Sequence, residues 1–92
     1  MKQCFDKKLL KKAIDVWGKH AQLLALLEEI SELQKEILKN INRGKENLNE
    51  LIDETADVEI MLEQLKYIFD IEQAVEERIP VKLEKVRRRL EG

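Results

Sequence analysis

The chain is poor in the residues that interrupt helices: one proline and three glycines in 92 residues. Cys4 is the single cysteine. This excludes an internal disulfide and fits a reducing compartment. Aromatic residues make up 4% of the chain and there is one histidine, His20. No apolar run approaches the roughly 20 residues of a membrane span. The opening MKQCFDKKLL is broken by charges and has no signal-peptide core. An excess of positive charge is missing too: the net charge is −2 and the pI about 5.5. That argues against a protein built to coat a nucleic acid polymer. The expectation is a soluble, cytoplasmic protein with neither a membrane nor a nucleic acid polymer as partner.

What is present is 43% hydrophobic and 39% charged residues, a balance that suits helices with one apolar and one charged face. Ninety-two residues form a single domain, 1–92. A chain this short buries only about 60–65% of its unfolded surface, so thin helices leave apolar surface for self-association. No strand pattern, repeat or low-complexity linker is visible.

Helical spacing organises the chain into four segments. Over residues 5–17, Leu9, Leu10, Ala13, Ile14 and Trp17 recur at helical intervals, and Gly18 marks a bend or a break. From His20 to Ile41, the residues Leu23, Leu26, Leu27, Ile30, Leu33, Ile37 and Ile41 form an amphipathic stripe. Gly44 suits a left-handed cap after it. Asn47 and Glu50 have capping-box spacing at the start of a third helix, which runs to about Phe69. Asp70 and Gln73 repeat that spacing before a fourth. Pro80 is expected to kink or split the fourth helix.

The acids are not spread evenly. At about 100° per residue, Glu28, Glu29, Glu32 and Glu36 fall within an arc of about 100° beside the apolar stripe of the second helix. Glu50, Asp53, Glu54 and Asp57 do the same on the third. If the stripes pack together, some eight carboxylates line one groove. Like charges at i, i+4 repel by a few tenths of a kcal/mol each, and a hard divalent cation offsets this, because Mg²⁺ takes oxygen ligands and shares its other positions with water and phosphates. The alternative is a solvated acidic face, partly neutralised by Lys35, Lys39, Lys45 and Lys66.

Glu28-Glu29-Ile30-Ser31-Glu32 reads as EExxE and Glu54-Thr55-Ala56-Asp57 as ExxD, with 21 residues between them. Together with the flanking LLALLEEISEL and DETADVEIMLEQL, this resembles the MazG-like all-α nucleoside triphosphate pyrophosphohydrolases over about residues 17–90. The resemblance implies a four-helix MazG-like bundle assembled as a homodimer or homotetramer. It implies Mg²⁺-dependent (or Mn²⁺-dependent) cleavage of a nucleoside triphosphate to monophosphate and pyrophosphate. Glu29, Glu32, Glu54 and Asp57 match the metal ligands, and Glu28 matches a further ligand or a water-orienting base. Lys82 and Arg89 match phosphate contacts in the last helix, while Val86 stands where the family has an asparagine; Arg87 or Arg88 can substitute.

Catalysis of this kind is positioning and electrostatics and needs no nucleophilic side chain. Glu28 or Glu29 can take the proton. Trp17 can stack on a base or belong to the core. His20 can contact a base or phosphate or sit at the surface. Gln22 shares the direction of Glu29 and can point into the groove. Met61 and Ile68 continue the acidic arc as walls. Two other readings of the same acids remain: a non-catalytic helical scaffold, and a nucleotide-binding regulator that does not hydrolyse.

Overall fold

Asp6 caps the first helix, its Oδ1 accepting the Leu9 amide at 3.0 Å. Helix α1 then runs Lys7–Trp17 in a computed structural model that describes residues 5–44 and 46–92. Cys4 and Lys45 lie outside the described residues. Gly18 follows with φ 93° and ψ 149°, a conformation that a residue with a Cβ rarely adopts. It breaks the chain between α1 and α2 (Lys19–Arg43), as the sequence suggested. Gly44, at φ 60° and ψ 26°, closes α2 in the expected left-handed cap. Helices α3 (Leu48–Phe69) and α4 (Glu72–Glu91) complete an all-helical chain, with no strand among the described residues.

Helices α2 and α3 form the main packing pair, joined by a short loop. Asn47 at the start of α3 meets Glu36 near the end of α2, and Glu54 and Asp57 meet Glu29 further back. The two helices are therefore antiparallel. Helix α1 packs against both, whereas α4 packs against α3, meets α1 through the Lys7–Glu72 ion pair at 3.1 Å and has no buried residue. Among the described residues, only Ile14 and Leu26 are buried hydrophobic residues. Of the expected α2 stripe, Leu23 and Leu33 are half-buried while Leu27, Ile30, Ile37 and Ile41 are exposed. No described helix is long and apolar enough to cross a membrane.

Three local expectations need correction. Asn47 is the N-cap residue of α3 but makes no side-chain cap bond, because its amide is used across the loop on Glu36 and Asn40. Asp70 does not open α4. It is left-handed (φ 53°) and closes α3, with the Ile71 amide donating to the Lys66 carbonyl at 3.0 Å. That places Ile71 at the N-cap of α4, out of register for an Asp70–Gln73 box, and Gln73 bonds Glu77 instead. Pro80 does not split α4, which is continuous through it. The carbonyl that proline leaves unbonded belongs to exposed Glu76, where water can satisfy it.

Candidate metal centre

The antiparallel register of α2 and α3 brings three carboxylates together. Glu29, Glu54 and Asp57 each offer one oxygen, and these oxygens all lie within 4.8 Å of one another. Glu54 and Asp57 are neighbours on one face because residues three apart on a helix sit about one turn from each other. Glu29 reaches them from α2. Glu29 and Glu54 are half-buried and Asp57 is exposed, so the cluster opens to solvent on one side.

Electrostatics agree with this crowding. Burial, then the charge of Asp57, then that of Glu54 push the Glu29 carboxyl up to about 6. Two carboxylates close by oppose a third charge. Glu54 Oε2 is buried and has no hydrogen-bond partner among the described residues. A buried carboxylate oxygen without a donor is costly, and a cation at this point would satisfy it. Three hard oxygen donors, with room for water and phosphate oxygens, suit Mg²⁺ or Mn²⁺.

The remaining sequence-selected residues are distributed differently. Glu32 is exposed and its Oε1 lies 3.9 Å from Lys35 Nζ, so it is outside the trio as it stands. Glu28 is exposed on the same side of α2. Glu36 is drawn away to Asn47 and Lys39, and Glu50 and Asp53 are exposed. The groove thus gathers three acids rather than eight. Gln22 is buried rather than open to a groove, and Trp17 is 66% exposed, so it is not core. His20 is exposed. Lys82 and Arg89 lie on α4, which packs against α3 and not against α2.

Gln64 is a further polar residue of this contact, not among those the sequence singled out. It is 3% exposed, and its Oε1 has no partner among the described residues. The available signal was spacing: Gln22, Glu29 and Glu36 stand at seven-residue steps on α2, as do Glu50, Asp57 and Gln64 on α3. Seven residues are nearly two turns, so each series shares a face. The result is a polar seam through the α2–α3 contact, with the trio at its middle.

Hollows lie elsewhere. Two cavities of about 380 and 390 Å³ between α3 and α4 share Phe5, Glu63, Lys66 and Val75. They contain none of the trio and lack convergent donors, so the chemistry favours the carboxylates. Compared with known proteins, the chain matches no family model, no curated protein and no solved structure.

Proposed function

We propose that this chain is a Mg²⁺-dependent nucleoside triphosphate pyrophosphohydrolase of the MazG-like kind, acting in the cytoplasm as a homodimer or homotetramer. The observation that supports this best is the convergence of Glu29, Glu54 and Asp57 from two helices onto one point. These are three of the four positions at which the EExxE and ExxD motifs imply metal ligands. Glu32 would be the fourth, one turn beyond Glu29. Its present contact with Lys35 is long and exposed, and such pairs contribute little, so turning it inward costs little.

Mg²⁺ held by these carboxylates supplies the positive charge that a triphosphate needs to approach them. The chain's own contribution is to hold the acids in place and to accept a proton. Glu29 is one candidate: its carboxyl sits near 6 in the metal-free chain, and a bound cation would lower it from there. Glu28, exposed beside it, is the second candidate. Cleavage between the α and β phosphates adds water and yields a monophosphate and pyrophosphate, with no covalent intermediate required.

The test is a panel of ribo- and deoxyribonucleoside triphosphates with Mg²⁺, scored for pyrophosphate. Turnover abolished by EDTA and by Glu54→Gln is the expected result. Absence of pyrophosphate across the panel would leave the scaffold or regulator readings.

A further inference from the structure

We infer that the outer side of α1 docks on an anionic lipid surface, where Leu9, Val16 and Trp17 enter the headgroup layer and Lys8 and Lys12 pair with its phosphates. The inference does not depend on the hydrolase reading. No described helix is long and apolar enough to cross a membrane. A helix that lies on one needs only an exposed apolar edge beside cations.

The first observation is how charge is divided along the chain. Residues 5–20 carry five lysines against Asp6 and Asp15, whereas residues 21–92 carry eleven basic and seventeen acidic residues. A chain with a net charge of −2 thus concentrates positive charge at α1. Lys7 is held by Glu72 at 3.1 Å. Lys8, Lys11, Lys12 and Lys19 are exposed and make no ion pair among the described residues. Their charge is left to act on whatever approaches this side.

The second observation is what stands beside those lysines. Ile14 is buried and Leu10 and Ala13 are half-buried, on a helix that packs against α2 and α3. Leu9, Val16 and Trp17 are instead 61, 65 and 66% exposed. At about 100° per residue, Leu9 and Val16 fall within about 20° of one another, and Lys12 and Lys8 follow within about 80° on one side. Trp17 ends the helix about 80° away on the other side. Tryptophan is mostly buried in soluble domains. Its apolar body and single N–H donor suit the boundary between acyl chains and water. Lysine stems lie along apolar surface while their amines reach outward.

The third observation separates lipid from other polyanions. A nucleic acid backbone would engage the lysines but make no use of Leu9 and Val16, whereas an anionic leaflet engages both. Repulsion from the acidic remainder of the chain is screened over about 8 Å at physiological salt. That is short of the chain's extents of 41 × 34 × 26 Å.

Trp17 is the single tryptophan, so its emission reports on α1 alone. The whole chain is mixed with phosphatidylcholine vesicles containing about a third phosphatidylglycerol, and with vesicles of phosphatidylcholine only. It should float with the anionic vesicles, with a blue-shifted emission, and added salt should weaken both effects. Lys8→Glu with Lys12→Glu should lower the partition coefficient about tenfold or more. Leu9→Ser with Val16→Ser should lower it at unchanged charge. All four positions are exposed, and circular dichroism checks that each variant keeps its helices. No flotation with anionic vesicles overturns the docking, as does equal flotation with neutral ones. Undiminished binding by either double variant overturns the assignment to α1. Binding to duplex DNA as tight as to vesicles, without a blue shift, overturns lipid in favour of nucleic acid phosphates. Flotation is read without turnover, so a chain that floats but releases no pyrophosphate loses the hydrolase reading and keeps the docking.

Discussion

Asn47 and Glu36 stand eleven residues apart and meet twice: Asn47 Nδ2 donates to the Glu36 carbonyl at 2.9 Å and to its Oε1 at 2.8 Å. Asn47 Oδ1 accepts from Asn40 Nδ2 at 3.2 Å. This residue is 1% exposed and ties the end of α2 to the start of α3. It therefore sets the register that carries Glu29 opposite Glu54 and Asp57.

Replacing Asn47 tests that dependence. Asn47→Ala removes two hydrogen bonds to Glu36 and one from Asn40 at a buried position, a loss of about 1–3 kcal/mol. Asn47→Asp should cost more at neutral pH, since it sets a carboxylate against Glu36 without an N–H to donate. Urea unfolding of both variants checks the order. Equal stability of Asn47→Asp and wild type would remove the tie from the account.

The pH dependence of stability follows from Glu29. Its carboxyl is raised from 4.5 to about 6 in the folded chain. Between those values the folded state binds more protons than the unfolded one, so stability falls as pH rises. Without divalent ions, Glu29 should contribute a loss on the order of 1–2 kcal/mol between pH 4.5 and 7. Glu29→Gln should flatten that part of the profile. Denaturation series at several pH values, with EDTA present, measure the difference between the two proteins.

Metal should reverse the same slope. A cation that binds only the folded trio stabilises by mass action, and it competes with the proton on Glu29. Added Mg²⁺ should raise the melting temperature more at pH 7.5 than at pH 5. Asp57→Asn and Glu54→Gln should lose that response while remaining at least as stable as wild type in EDTA, because each removes a repelling charge. A Mg²⁺ shift of the same size in wild type and Glu54→Gln would place the ion elsewhere.

Helices α2 and α3 were legible because their apolar residues and acids repeat at helical intervals over more than twenty residues. Gly18 and Gly44 marked the breaks because their backbone conformations suit glycine. The same helical spacing puts acids of both helices on one edge, and three of those eight do meet. What it missed depends on choices between partners. Asn47 could cap its own helix or reach Glu36, and only the length of the 44–47 loop decides. Asp70 could begin α4 or end α3, and the left-handed turn settles it. The position of α4 was illegible because its apolar stripe specifies that something covers it, not what.

Gln64 offers the sharpest separation of structural from functional polarity within the seam. Its Oε1 is buried without a partner among the described residues, seven residues beyond Asp57. If that oxygen only packs between helices, Gln64→Leu removes an unmet acceptor and keeps most of the volume. Such a change is neutral or stabilising, by up to about 1 kcal/mol. Gln64→Glu should destabilise, since it places a charge at a buried position where the present oxygen already lacks a partner among the described residues. The turnover assay then discriminates: a stabilised Gln64→Leu protein with unchanged kcat/KM assigns the residue to packing. A stabilised protein with a raised KM for one nucleobase assigns it to the substrate. Loss of stability in Gln64→Leu would contradict the orphaned oxygen itself.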